Sequence, residues 1–247
     1  MSTLIHHLRC NKRSITIHVT KCIVTSPPKS KSESKSKSTT QASLINPSNI
    51  SLTGTSGFPY FPKGGPVPQN YKNDKPTTEW QPLGYVTSWG GMDVGAGMVY
   101  PIQTIDGLVT IYGGRRLKAE LFLKRAFSVE RESGDCVATG AGGLEVFNFN
   151  SIIHSFPPFY DDDVGGVVLG KTWSTALQRG FEKSRLVVAP LIGAGCRSFP
   201  PTLAIQVLVE AATIWLQGES DENLELRVAV LDADLAAEIV QKFGPSR

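Results

Sequence analysis

Long apolar runs are missing from this chain of 247 residues. No stretch approaches the roughly 18 consecutive apolar residues that a membrane-spanning helix requires, so no membrane span is expected. A strong charge of one sign is also missing, because the formal net charge is only +3. Beyond residue 45 the chain is close to neutral, which gives no support to DNA binding through a basic surface.

Cysteine is scarce as well. The chain has four cysteines and no C-x-x-C pair, at positions Cys10, Cys22, Cys136 and Cys196. This spacing excludes the usual zinc motifs and disulfide frameworks, and it favours a reducing compartment. We therefore expect neither a metal nor a cofactor.

Acidic residues are nearly absent from residues 1–45, where Glu33 stands against eight lysines and arginines. The Ser-Lys alternation of residues 29–38 cannot bury apolar surface, and we expect the whole of 1–45 to be a disordered tail. A basic, serine-rich start is typical of a transit peptide, which predicts a plastid or a mitochondrion. A solvated tail that carries no targeting signal has the same composition, and the protein is then expected in the cytoplasm or the nucleus.

Residues 46–82 are rich in proline, glycine and aromatic residues, as in Gly57-Phe58-Pro59-Tyr60-Phe61-Pro62. Proline removes backbone donors, so this segment is neither a regular helix nor a central strand. Its aromatic side chains favour an extended arm that docks on a folded domain over a flexible linker.

From residue 83 to residue 247, short β-rich runs alternate with helical periodicities. Several of the runs are uniformly apolar, which is typical of strands that are covered on both faces. Strands alternating with helices predict an α/β fold, a three-layer α/β/α sandwich with a mixed, mostly parallel central sheet. The predicted strands are 85–87, 108–111, 136–139, 152–154, 186–189 and 226–231, and the helical stripes run through Leu117–Phe122, Trp173–Phe181, Leu203–Trp215 and a last helix from Asp232 or Asp234 to Phe243.

The run Leu186–Ala189 leads into a loop with two glycines, and a helix begins at Pro200-Pro201. Gly193 and Gly195 permit a close approach of the backbone, and the helix directs free N–H groups towards the turn. Such an arrangement suits a phosphate or another anion. A tight strand-to-helix connection requires the same glycines without any ligand.

Five segments follow one another in the second half of the chain, namely Gly134–Thr139, Ser151–His154, Trp173–Leu177, Leu186–Gly195 and Cys196–Pro200. In this order they resemble the macro domain, the ADP-ribose-binding module. The resemblance covers roughly residues 105–243. It implies that the diphosphate of a nucleotide meets the backbone of Gly193, Ala194, Gly195, Cys196, Arg197 and Ser198, with Phe199 beside the distal ribose. Ser198 replaces the second glycine of the family's loop, and Arg197 either contacts phosphate or points to solvent.

The family's first signature, D-a-I-V-N-A-A-N followed by a glycine loop, is matched poorly. Asp106 to Gly114 keeps the aspartate, an apolar strand and the pair Gly113-Gly114, but Thr110 stands where the first asparagine belongs. In hydrolytic relatives those asparagines and that loop position the ribose and a reactive water. Their loss argues against catalysis, so no catalytic residue is assigned. The family's adenine-binding aspartate has Asp93 as its candidate, although a turn-forming role is the commoner one.

These expectations describe a domain that binds ADP-ribose or a related nucleotide diphosphate without turnover, through the loop 193–199 together with Asp106, Thr110, Gly113 and Gly114. An ADP-ribosyl hydrolase or a phosphoesterase that uses the same cleft is one alternative. A degenerate domain kept as a surface for a protein partner is the other. His154 is expected to be a packed or surface histidine rather than a base.

Overall fold

The computed structural model describes residues 2–28, 41–53, 104–127, 130–195 and 197–244. Seven strands form one sheet in the order β1-β2-β7-β6-β3-β5-β4. The five inner strands are parallel to one another, and the edge strands β1 and β4 are antiparallel to their neighbours. The strands are β1 (Thr3–Cys10), β2 (Arg13–Val19), β3 (Ala42–Pro47), β4 (Cys136–Gly140), β5 (Phe149–Ser155), β6 (Leu186–Ala189) and β7 (Leu224–Val230).

Helices cover both faces of this sheet, which confirms the predicted three-layer α/β/α architecture. They are α1 (Ile105–Ala126), α2 (Val167–Phe181), α3 (Pro201–Gln217) and α4 (Ala233–Phe243), with short 3-10 helices at Gly142–Phe147 and Tyr160–Asp162. Residues of α2, α3 and α4 pack with Ile17, Val187 and Val228 in one apolar cluster. Residues of α1 and of the first 3-10 helix pack with Leu44 and Val188 in a second cluster on the opposite face.

The helices α2 and α4 could be predicted from the sequence, and the structure shows why. In α2, Trp173 and Leu177 are buried at spacing i, i+4 and point to the sheet. The helix α4 begins after Asp232, whose side chain accepts hydrogen bonds from the backbone N–H groups of Asp234 and Leu235. It ends at Gly244, which has the positive φ (78°) that glycine adopts freely.

The predicted disorder of residues 1–45 is wrong for the strands β1, β2 and β3, which lie largely within that range. The sequence 14–19 alternates polar and apolar residues, and Ile15 and Ile17 are fully buried. Strand β2 pairs in parallel with β7, with Arg13 opposite Leu224 and Val19 opposite Val230. These strands therefore belong to the same sheet as residues 136–230, so the folded domain does not begin at residue 83.

The Ser-Lys run of 29–38 lies outside the described residues, as does the arm from residue 54 onwards. The described part of that arm is the end of β3 and a turn at 48–53, in which Leu52 is buried. The predicted strand 85–87 and Asp93 also lie outside the described residues.

The predicted strand 108–111 is wrong, because this segment is the first part of the helix α1. The side chain of Thr104 accepts a hydrogen bond from the backbone N–H of Gly107, which starts the helix. Buried residues then recur at helical spacing, at Asp106, Val109, Thr110, Gly113, Leu117 and Leu121. The β-branched run 109–111 favours a strand locally, and burial of the helical stripe against the sheet overrides that preference.

Candidate functional site

The carboxyl ends of the five parallel strands lie along one edge of the sheet, where ligands of open α/β sheets usually bind. Strand β3 lies between β6 and β5. It ends at Asn46 and Pro47, which are paired with His154 and Ser155 at the end of β5. The loop from residue 190 to Pro200 leaves the same edge from the end of β6.

Asn46 is fully buried at this edge, on the face of the sheet that α1 covers. Its Nδ2 donates to Oδ1 of Asp106 at 2.8 Å and lies 3.2 Å from Nδ1 of His154. Its Oδ1 has no hydrogen-bond partner among the described residues. A buried amide oxygen without a partner costs about 1–3 kcal/mol, so this acceptor is an energetic defect unless another group meets it.

His154 is a buried residue, as expected, but it is part of this polar group. Its Nε2 lies 3.0 Å from Oγ1 of Thr139 on the neighbouring strand β4. Burial lowers the pKa of His154 below its usual value, and the nearby Asp106 carboxylate opposes that shift. The imidazole is therefore neutral at neutral pH.

The two asparagines of the family's first signature have their match at the end of β3 and just after it. Residues 42–49 read Ala-Ser-Leu-Ile-Asn-Pro-Ser-Asn, so Asn46 and Asn49 repeat the spacing of the two asparagines in D-a-I-V-N-A-A-N. The segment Asp106–Gly114 is part of a helix and does not correspond to that signature, so its lack of asparagines is no reason to exclude catalysis. The N-x-x-N spacing after the short apolar run 44–45 was the signal that could have located the strand.

The structure still brings Asp106 to the site, from the first turn of α1 instead of from a strand. The positive end of the helix dipole favours a carboxylate at this place. Thr110 lies one turn later and donates its hydroxyl to the backbone oxygen of Asp106 at 2.8 Å. Its side chain is thus committed within the helix.

Gly113 and Gly114 form a kink inside α1 and not a loop that follows a strand. Gly114 has φ 64° and ψ −158°, a conformation that only glycine adopts freely. A Cβ built on Gly142 would lie 2.6 Å from the backbone oxygen of Gly113. The backbone of Gly113 therefore lies in close contact with the segment that follows β4.

The loop 193–199 takes a positive φ at Gly193 and at Ser198, and Gly195 is not among the glycines with a positive φ. Gly193 has φ 98°, and a Cβ there would meet Leu169 at 3.0 Å. Ser198 stands where the family's loop has its second glycine, and it takes a positive φ of 63°. Its backbone N–H donates to the oxygen of Gly195 at 2.9 Å, so this amide is used inside the loop. Ala194 is buried and Gly195 is half-buried, whereas Cys196 lies outside the described residues.

Arg197 does not extend into solvent. Its Nη2 donates to the backbone oxygen of Ser48 at 2.7 Å, and its guanidinium lies 4.4 Å from the centre of the Phe159 ring. It thereby connects the segments that follow β6, β3 and β5. Phe199 is buried, and its ring meets the edge of Tyr160 at 5.5 Å between centroids. It supports the loop from the core side.

A second buried polar group lies on the same face of the sheet, towards β2. Arg227 on β7 is 3% exposed, and it forms two hydrogen bonds with the carboxylate of Glu225, at 2.7 and 2.9 Å. It also donates to the backbone oxygen of Pro28 at 2.8 Å. Nearby His18 is 2% exposed, and neither of its ring nitrogens has a partner among the described residues. Burial and then the charge of Arg227 lower the pKa of His18 to about 4, against a smaller opposing effect of Glu225.

Within the described ranges, no three His, Cys, Asp or Glu side chains are grouped so that they could hold a metal ion. No helix in this part of the chain is long and apolar enough to cross a membrane.

This architecture is shared with known proteins of solved structure. No protein-family model matches the chain. The search of curated proteins gave no match either. Among solved structures, the Oceanobacillus iheyensis macrodomain with ADP is similar at a TM-score of 0.64 and 15% identity, over 98% of this chain and 95% of that one. A mutant of that macrodomain with ADPR gives a TM-score of 0.61 and 16% identity, over 98% and 96%.

The Trypanosoma brucei macrodomain in complex with ADP is similar at a TM-score of 0.53 and 13% identity, over 83% of this chain and 64% of that one. At such identities the likeness concerns the fold. The mixed, mostly parallel sheet with helices on both faces is consistent with it. The chain therefore has the fold of the macrodomains.

Proposed function

We propose that the protein binds ADP-ribose or a related nucleotide diphosphate at the carboxyl edge of its sheet. The observation that carries this proposal is the buried Oδ1 of Asn46, which has no partner among the described residues, in a side chain whose Nδ2 donates to the Asp106 carboxylate. A ligand hydroxyl is the kind of donor that removes this defect.

The loop 193–199 supplies the complementary chemistry. It contains Gly193 and Ser198 with positive φ, next to the N-terminus of α3, where partial positive charge favours an anion. Arg197 joins this loop to Ser48, two residues beyond Asn46. One ligand that carries hydroxyl groups and a diphosphate matches both Asn46 and the loop 193–199. Structures of the same fold with ADP or ADPR support this ligand class.

Calorimetric titration of the full-length chain with ADP-ribose tests the proposal. We expect a dissociation constant of about micromolar size, equal to about −8 kcal/mol. Asn46→Ala should weaken binding at least tenfold. Arg185→Ala is the matched control, because Arg185 is exposed just before β6, at the opposite edge, and pairs with Glu222. Absence of heat and of a thermal shift at millimolar ligand contradicts the proposal and favours a surface for a protein partner.

Hydrolysis of an ADP-ribosyl bond is a second candidate, and the Asn46–Asp106 hydrogen bond favours it. A carboxylate held by an amide at the end of β3 is able to orient a water molecule. Release of ADP-ribose from a modified protein, lost in Asp106→Ala, would establish turnover. If wild type binds but releases nothing above the rate of Asp106→Ala, the protein is a binder.

The organellar address predicted for residues 1–45 remains a prediction. Because β1, β2 and most of β3 lie in this range, cleavage at residue 45 would remove them from the sheet. Microscopy of a full-length fusion that carries its fluorescent protein at the C-terminus tests the location.

A further inference from the structure

Four buried side chains at the site form one continuous row of hydrogen bonds. Thr139 on β4 contacts His154 on β5, His154 contacts Asn46 on β3, and Asn46 contacts Asp106 on α1. All four are at most 7% exposed. The row thus crosses three neighbouring strands and reaches the first turn of the helix above them.

The direction of each hydrogen bond follows from the carboxylate at one end. An ionised Asp106 only accepts, so the atom 2.8 Å from its Oδ1 is the amide nitrogen of Asn46. The second hydrogen of that nitrogen meets Nδ1 of His154 at 3.2 Å, which makes Nδ1 an acceptor. In a neutral imidazole the proton is then on Nε2, which donates it to Oγ1 of Thr139 at 3.0 Å.

Asn46 is left with one unused hydrogen-bonding atom. Both hydrogens of its Nδ2 are committed, and its Oδ1 has no partner among the described residues. If the proton of His154 moved to Nδ1, that N–H would face the amide N–H of Asn46. The amide would then have to turn its oxygen towards the ring, and the open acceptor would be lost.

We propose that His154, held in one tautomer by Thr139, is a positioning residue that keeps Asn46 a hydrogen-bond acceptor for a ligand hydroxyl. It touches no ligand itself and selects the chemistry of the group that Asn46 receives. An alcohol is accepted there, and a phosphate or carboxylate, which brings no proton, is not. This inference rests on the proposed function.

Binding of two ligands tests the proposal, because ADP-ribose carries a second ribose that ADP lacks. Thr139→Val removes the acceptor for Nε2 at nearly constant volume, and Thr139→Ser keeps it. We expect Thr139→Val to weaken ADP-ribose binding about tenfold, the size of one hydrogen bond, and to leave ADP unchanged. Thr139→Ser should bind both ligands as wild type does. Equal losses for both ligands in Thr139→Val, or no loss for either, overturns the positioning role.

Nitrogen-15 NMR of the histidine rings reads the tautomer directly and does not depend on a ligand. Wild type and Thr139→Ser should show His154 protonated at Nε2, whereas Thr139→Val should shift the population towards Nδ1. A wild-type ring protonated at Nδ1 overturns the inference. If wild type binds neither ADP-ribose nor ADP, the proposed function fails, and the NMR result still decides whether the row of hydrogen bonds has the stated direction.

Discussion

Protonation of His18 should make the domain sensitive to acid, and the substitution His18→Phe should remove that part of the sensitivity. The imidazole lies 2% exposed beside Arg227, and its pKa falls to about 4 in the folded protein. In the unfolded chain a histidine has its usual pKa of about 6.5. The folded state therefore binds fewer protons than the unfolded state between these two values.

The sign and the size of the effect of pH on stability follow from this difference in proton binding. The contribution of His18 to stability is fully present above about pH 6.5 and is lost as the pH falls through about 4. At 1.36 kcal/mol for each pKa unit, the loss between about pH 7.5 and pH 4.5 amounts to about 2.5 kcal/mol. Since neither ring nitrogen has a partner among the described residues, phenylalanine removes no hydrogen bond seen there.

Urea unfolding of wild type and His18→Phe at several pH values measures the effect. The difference between their free energies of unfolding should change by about 2 to 3 kcal/mol in favour of His18→Phe from about pH 7.5 to pH 4.5. Packing differences caused by phenylalanine shift the whole curve and do not alter this change. A difference that stays constant with pH would falsify the assignment of a buried neutral imidazole.

Three further predictions concern the backbone. Gly193→Ala should lower the free energy of unfolding by about 2–3 kcal/mol, measured by thermal unfolding, because φ is 98° and the new Cβ meets Leu169 at 3.0 Å. Gly165→Ala is the control, since a Cβ at that position would have its nearest neighbour among the described residues at 3.9 Å. Equal losses for both variants would refute the reasoning. Ser198→Gly should raise stability by up to about 1 kcal/mol, because φ is 63° at that serine, and a clear loss contradicts this. Asp232→Ala should lower stability by about 1 kcal/mol through loss of the α4 cap, and an unchanged midpoint in urea contradicts it.

Much of the second half of the fold could be predicted from the sequence, because local signals and tertiary packing agree there. Strand β6 is found at the predicted residues 186–189, since a uniformly apolar run suits a strand that is covered on both faces. The cap of α4 at Asp232 was equally clear, because a side-chain acceptor followed by helical periodicity is typical of a helix N-terminus.

The first half was mispredicted because signals conflicted. The lysines of 29–37 dominate the composition of residues 1–45 and outweigh the polar–apolar alternation of 14–19, although Ile15 and Ile17 are core residues. The β-branched residues 109–111 looked like a strand, and the spacing from Val109 to Leu121 that makes them helical extends beyond them. The row from Thr139 to Asp106 joins four separate elements, so sequence spacing alone could not have revealed it.

The pairing of β2 with β7 has a consequence for folding during synthesis of the protein. About two hundred residues separate the two strands, so β2 has emerged from the ribosome long before its central partner is made. Until then β2, which carries the apolar side chains Ile15 and Ile17, has only β1 as a neighbouring strand. Completion of the sheet must wait until β7 has been made, and such distant contacts slow folding. A fragment of the chain that stops before β7 therefore leaves β2 without its parallel neighbour.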